Sequence, residues 1–261
     1  MKQKYLWIDH TSSELKAIAS QPAVAILPLG ATEQHGPHLP VGVDTFLVEA
    51  FIQEAMGHLR AHDPVVVLPT LQVGVSTEHL NFPGTLSLSP ELGLGWCKSV
   101  GQTLAQCGIK QLLMMNAHGG NVGLMDLAGR EMRYQNGVHV FHTSWYQLVE
   151  PGFLEKLWPS HELRFGIHGG AAETSLMMAM KPDLVNAKAF SRHPSQSQDK
   201  AQRFPILGDG RSVKQSWLAE DYSATGAMGD ATLATPEAGH ALWRHVGQRL
   251  AQVVQELMTN R

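Results

Sequence analysis

Cysteine is scarce in this chain: Cys97 and Cys107 are the only two among 261 residues. They stand ten apart in a stretch that reads as one helix, nearly three turns from each other, which no disulfide spans. A disulfide framework is excluded, and two free thiols fit a reducing compartment. Long apolar runs are missing too. None approaches the roughly 20 residues of a membrane-spanning helix. The opening MKQKYLWIDHTSSELKAI has no apolar signal core. The expectation is a cytoplasmic protein with no membrane contact. Charge of one sign is also lacking. Lys and Arg total 20 against 23 Asp and Glu, a net charge of −3 with no basic field for nucleic acid. Charged residues make up 16% and hydrophobic residues 43%, the balance of a packed globule rather than a disordered chain.

Histidine, by contrast, is plentiful, with 14 copies. It is the commonest metal ligand and the usual acid–base group near neutral pH, but only position gives the count meaning.

Short apolar runs alternate with helical patterns. Val24–Leu29, Val65–Leu68, Gln111–Met115 and Val138–Phe141 read as buried strands. Helices are expected over Thr45–Arg60, Pro90–Cys107, Val122–Gln135, Ala171–Met180 and Pro236–Met258. Ser89 caps the second of these, with Pro90 at its first position and Gly108 past its end. The alternation predicts an α/β fold: a mainly parallel sheet covered by helices on both faces, in one domain spanning 1–261. Residues 190–220, polar and rich in Pro and Gly, break the rhythm and read as a lid, an oligomer contact or a flexible loop.

The segment LPLGATEQHGPHLPVGVDT, Leu27 to Thr45, places Glu33, His35, His38 and Asp44 in a loop directly after the first strand. His118 follows the third strand, in NAHGGN. His168 and Glu173 stand at the entry to a helix, in HGGAAETS. In a parallel sheet, loops after successive strands open on one edge, where such sheets bind ligands. Imidazole and carboxylate without cysteine suit Zn²⁺, with Mn²⁺ and Fe²⁺ as alternatives. Glu33, His35, Asp44, His118 and Glu173 exceed what one catalytic metal needs, so the expectation is two divalent ions, with Asp44 between them. Each residue alone has a plainer reading: Asp44 as a helix cap, Glu173 as a helix-dipole partner, His118 as a turn residue. Glu78 and His79 are either substrate contacts or members of a solvated loop. Trp145 and Trp158 are either stacking platforms or core. Asn116 and Asn121 are read as braces for the loop around His118.

The segments quoted above, with GVSTEHLNFPGTLSL (Gly74 to Leu88) and GAMGDATLATPEAG, resemble the signature segments of the creatininase family, in order along most of the chain. The resemblance implies a three-layer α/β fold, a binuclear metal centre, hydrolysis of an amide or cyclic amide C–N bond in a small substrate, and a homo-oligomer, in this family often a hexamer. It places metal ligands on Glu33, His35, Asp44, His118 and Glu173, and the catalytic histidine on His168. Creatininase itself carries Tyr and Glu after the histidine matched by His118. Gly119 and Gly120 stand there instead, which argues against creatinine as the substrate. Two rivals remain from the sequence: a metal-stabilised binding or regulatory protein of the same fold without turnover, and a metal-free flavodoxin-like binder.

Overall fold

A computed structural model describes residues 4–260. Its elements in chain order are α1 (Ser12–Ala19), β1 (Val24–Leu29), α2 (Val43–Gly57), β2 (Val65–Val67), α3 (Pro90–Cys107), β3 (Gln111–Asn116), α4 (Val122–Asn136) and β4 (His139–Ser144). There follow α5 (Ser160–Phe165), α6 (Ala171–Met180), β5 (Arg192–His193), α7 (Ser197–Arg203), α8 (Ala219–Tyr222), β6 (Gly229–Asp230) and α9 (Pro236–Thr259).

Strands β2, β1, β3 and β4 lie in that order, every pair parallel. The expected α/β sandwich is therefore present. Its logic is visible in β1, where successive side chains serve opposite faces. Val24 and Ile26 pack with Leu47, Val48 and Phe51 of α2, Leu176 and Met177 of α6, and Leu242, Val246, Leu250 and Val254 of α9. Ala25, Leu27 and Leu29 pack with Cys97 and Leu104 of α3 and with Leu124, Met125, Ala128 and Met132 of α4. Because both faces are covered, the strand is continuously apolar rather than alternating.

Local chemistry sets the helix ends. Ser89 accepts a hydrogen bond from the Leu92 N–H, Pro90 occupies the first turn of α3, and Gly108 closes it in the left-handed region (φ 92°). Thr235 caps α9 by accepting from the Ala238 N–H, again ahead of a proline. The short helix α1 was not anticipated. Its signal is the capping box of Thr11 and Glu14.

Two boundaries moved. Helix α2 starts at Val43, so Asp44 lies inside its first turn and Gly42 is the cap. The reading of Asp44 as a plain N-cap therefore fails. Strand β4 runs to Ser144 because β3 pairs with it as far as Asn116, opposite Ser144. The 190–220 segment holds α7 and β5, and β5 pairs antiparallel with β6, which lies beyond the segment. No helix among the described residues is long and apolar enough to cross a membrane.

Candidate metal centre

All four strands end on the same edge, and the loops leaving them carry the polar groups. The β1 loop supplies Glu33 and His35, and the start of α2 supplies Asp44. The β2 loop supplies Glu78 and His79, and the β3 loop supplies His118. The long connection after β4 supplies His168, with Glu173 in the first turn of α6. Glu33, His35, Asp44 and His118 are each 3% exposed or less, although all are ionisable. Such burial is costly unless the charges are compensated.

The six predicted residues come together. The two oxygens of Asp44 diverge: Oδ1 lies 3.5 Å from His35 Nε2, and Oδ2 lies 3.4 Å from His118 Nδ1. On one side His118 Nδ1 is 3.2 Å from Glu33 Oε1. On the other, His35 Nε2 is 3.9 Å from Glu173 Oε2. His168 Nδ1 stands 3.8 Å from Glu33 Oε1. Ligand-type atoms of Glu33, His35 and Asp44 lie within 4.8 Å of one another, as do those of His35, His168 and Glu173. Glu33 Oε2, His35 Nε2 and Asp44 Oδ2 are buried without any hydrogen-bond partner among the described residues. Acceptor atoms converging in a buried place, with none satisfied, are what a cation needs.

The imidazoles are oriented from behind, and their partners fix the tautomers. His35 Nδ1 donates to the Glu33 carbonyl at 3.0 Å, leaving the Nε2 lone pair toward Asp44 and Glu173. His118 Nε2 donates to the Val75 carbonyl at 2.8 Å, leaving Nδ1 toward Glu33 and Asp44. A backbone carbonyl behind a histidine is the usual support of a metal ligand. His168 Nε2 donates to the Gln34 carbonyl at 2.7 Å, so its Nδ1 faces the cluster as an acceptor.

His79 differs. The Gln34 Oε1 accepts from the Gly36 N–H, which orients the amide, and Gln34 Nε2 then donates to the Gly226 carbonyl and to His79 Nδ1 at 2.8 Å. Neutral His79 must therefore carry its hydrogen on Nε2, which faces Glu33 Oε1 at 3.6 Å. Sequence reading left His79 open between substrate contact and solvated loop. It is buried inside the cluster, and Gln34, unremarked in the sequence, positions both it and His168.

Charges follow from this geometry. Burial would raise Glu33, but the protonated His118 beside it outweighs that and holds the carboxyl well below its usual range. Burial would lower His35, but Asp44, Glu173 and Glu33 hold it up at about 9. His118 is held well above the usual value, since Glu33 and Asp44 overcome its burial. Glu173 is pushed up to about 7 by burial and by the negative Asp44 and Glu33. His168 is driven well below its usual value by burial and by the neighbouring His35 and His79, so it is neutral.

The Asn braces are present. Asn116 Nδ2 donates to the His118 carbonyl at 2.7 Å, and Asn121 Nδ2 donates to the Gly30 carbonyl at 3.0 Å. His38 lies outside the cluster. Its Nε2 contacts Thr174 Oγ1, it stacks on His193, and burial with that neighbour lowers it to about 4. Gly120 sits where no side chain fits: a Cβ there would lie 2.1 Å from the Val75 oxygen and 2.7 Å from Glu78 Oε1. The Glu78 carboxylate thus occupies the space beside His118, and burial raises its pKa.

A parallel sheet with a chelating set of acids and imidazoles on its carboxyl edge defines a metal-binding α/β protein of hydrolase type. The family model for creatininase (creatinine amidohydrolase) matches residues 9–254, and the chain belongs to that family. It is 31% identical to a creatinine amidohydrolase of Pseudomonas putida, over 92% of this chain and 91% of the relative. It is 30% identical to a mycofactocin precursor peptide peptidase of Mycobacterium tuberculosis, over 89% and 84%. A crystal structure of creatininase superposes over 100% of both chains at 29% identity, with a TM-score of 0.81. Other solved creatininases include a zinc–zinc form and a manganese form, at 30% and 29% identity and TM-scores of 0.77 and 0.78, each covering 97% of this chain and 98% of the other. The cluster and these relatives together support divalent metal binding.

Proposed function

We propose that this chain is a binuclear metal-dependent amidohydrolase that cleaves a C–N amide bond of a small molecule. The observation that carries the reading is the set of buried, partnerless atoms Glu33 Oε2, His35 Nε2 and Asp44 Oδ2. Glu33, Asp44 and His118 would hold one ion, and His35, Asp44 and Glu173 the second, with Asp44 shared. Zn²⁺ is the first candidate, ahead of Mn²⁺ and Fe²⁺. Two such ions supply a water ionised near neutral pH and a Lewis acid for the amide carbonyl.

The chain's own residues do the rest. His168 is the catalytic histidine of the proposal. Its Nδ1 faces the cluster as an acceptor and its Nε2–H is tied to the Gln34 carbonyl, so it can take one proton without reorienting. The attacking oxygen, already ionised, forms the new C–O bond, and the proton left on it passes to Nδ1. His168 then delivers that proton to the leaving nitrogen as the C–N bond breaks, since a bare amide anion is too basic to depart. His79 Nε2–H faces the same space and fixes the orientation of Glu33.

The proposal extends to one catalytic domain in a cytoplasmic homo-oligomer, with a hexamer as the family expectation. The two unpaired thiols accord with a reducing compartment. The test is metal analysis of protein purified without chelator, followed by assays on cyclic amides and formamides. Two ions per chain, and turnover lost on chelation and restored by Zn²⁺ or Mn²⁺, are expected. A single ion per chain would overturn the binuclear reading. Full metal content with no turnover on any amide would favour a binding protein of the same fold. His168→Ala is expected to lose turnover with metal content intact, and intact turnover would remove it from the mechanism.

A further inference from the structure

The cluster occupies only one end of a cavity of about 800 Å³. That volume suits a drug-sized ligand and is far more than a formamide or a five-membered cyclic amide fills. Beyond the cluster the walls change character, to Leu154, Trp158, Leu163, Ile167, Trp217 and Leu218. No lysine or arginine lines the cavity among the described residues, while Glu33, Asp44, Glu78, Glu162 and Glu173 do. A carboxylate or phosphate on the ligand, away from the metals, would meet no lysine or arginine among the described lining residues and several acids.

Two further observations concern what fills this end. Trp158 is 3% exposed, and its indole Nε1–H is buried without an acceptor among the described residues. That N–H has no surface open to the cavity, so Trp158 contributes apolar wall rather than a donor. Trp217 comes from the segment that interrupts the α/β rhythm. It meets the His79 ring edge-on at 6.1 Å and packs beside Tyr222 at 5.3 Å, joining the apolar wall to the cluster. Ile167 and Leu218 keep 51% and 41% of their surface uncovered while lining the same cavity. Glu162, the one acid deep in this wall, is already used: it accepts from the Ala171 and Asp230 N–H groups.

We propose that the substrate is an uncharged amide bearing a ring-sized apolar group, with the ring against Trp217 and Leu218. This deepens the amidohydrolase reading and rests on it. The scissile amide lies at the cluster, and the apolar group supplies binding energy remote from it.

Three probes test the proposal: N-acetylphenylalaninamide, N-acetylglycinamide, and the anionic N-acetylphenylalanine. Binding is read from tryptophan fluorescence of metal-loaded His168→Ala protein, and turnover from wild type. N-acetylphenylalaninamide is expected to bind about tenfold or more tighter than either other probe, with kcat/KM following through KM. Trp217→Ala, and the milder Leu218→Ala at an exposed position, are expected to cut the preference for the ring about tenfold, read as the ratio of kcat/KM for N-acetylphenylalaninamide to that for N-acetylglycinamide. Equal binding of the ring-bearing and ring-free amides, preference for the anion, or an unchanged preference in both wall variants would overturn the proposal. Ring-selective binding without any turnover would sink the hydrolase reading and keep this one. Turnover without ring selectivity would do the reverse.

Discussion

Strand β1 and the loop that follows it, residues 30–42, are both largely buried, for opposite reasons. Every residue of Val24–Leu29 is buried and apolar, and each methylene there contributes about 0.8 kcal/mol by leaving water. The loop buries Glu33, Gln34, His35 and His38. Removing such groups from water costs several kcal/mol per unpaired ion. One stretch of chain thus passes from the most stabilising burial in the fold to the least. The difference locates function. A buried polar cluster that nothing in folding requires is held by the layers around it, and the proposed cations would offset its charge.

If that contrast is right, damage on the two sides should separate cleanly. The largest effect is expected at the cluster. Asp44→Asn keeps the volume and helix position but removes the charge shared by His35 and His118. Turnover should fall about a thousandfold or more, the scale of several kcal/mol of lost charge stabilisation, with metal content reduced and the circular dichroism spectrum unchanged. A variant with wild-type metal content and turnover would break the comparison at its centre.

The mirror experiment is Phe51→Ala in α2, on the other side of the comparison. Phe51 is fully buried and packs on Trp145 at 6.0 Å between centroids. The truncation should cost about 3–5 kcal/mol in urea unfolding, while metal stoichiometry stays unchanged in the folded protein. Loss of metal from folded Phe51→Ala protein would mean that core and cluster are not separable.

The two regions also differ in how far the sequence revealed them. Apolar periodicity marked β1, α3 and α9, because burial on both faces leaves an unbroken signal in the chain and caps such as Ser89 and Gly108 punctuate it. The residues Glu33, His35, Asp44, His118, His168 and Glu173 were visible as ligand-type side chains recurring after strands. For Glu33, His35, Asp44 and His118 the meeting required only that the strands be parallel, whereas His168 and Glu173 reach it through the long connection after β4. His79 and Gln34 were less legible. A histidine after a short strand looks solvated until Trp217 and the Gln34 amide are seen packed around it, and those come from remote parts of the chain. Glutamine in a loop carries no pattern at all. Trp217 was hidden because the 190–220 segment has neither helical nor strand periodicity, so its position depends wholly on tertiary packing.

Gln34 offers a sharper and smaller test, because it supports two members of the cluster from behind. Its amide donates to His79 Nδ1 and its carbonyl holds His168. Gln34→Leu keeps the bulk and the carbonyl but loses the donor, which frees His79 to turn. Turnover should fall about 10-fold to 100-fold, the range for residues that orient ligands from behind, with metal content and unfolding midpoint near wild type. A variant that loses metal as completely as Asp44→Asn would make Gln34 part of the chelating set rather than its support.

The smallest effect is a proton count, and it probes how the metal-free cluster offsets its own charge. His35 is held at about 9, above the ordinary 6.5, by Asp44 and its neighbours. A raised pKa means that protonated His35 stabilises the metal-free fold. That contribution is complete below 6.5 and is lost as pH rises through about 9. Metal needs the Nε2 lone pair, so uptake must expel that proton, and His118 is held up in the same sense. Affinity should therefore rise about tenfold per pH unit for each proton released, across the interval from 6.5 towards 9, and then flatten. Below about 7, Glu173 also becomes protonated and the slope should steepen. Titration calorimetry in two buffers of different ionisation enthalpy reads the count directly. At pH 8 roughly one proton or more should leave per chain on metal binding, falling towards none well above pH 9. A heat independent of buffer at pH 8 would mean that His35 and His118 hold no proton for the metal to displace. The loop would then have to offset its buried acids by some route other than its own imidazoles.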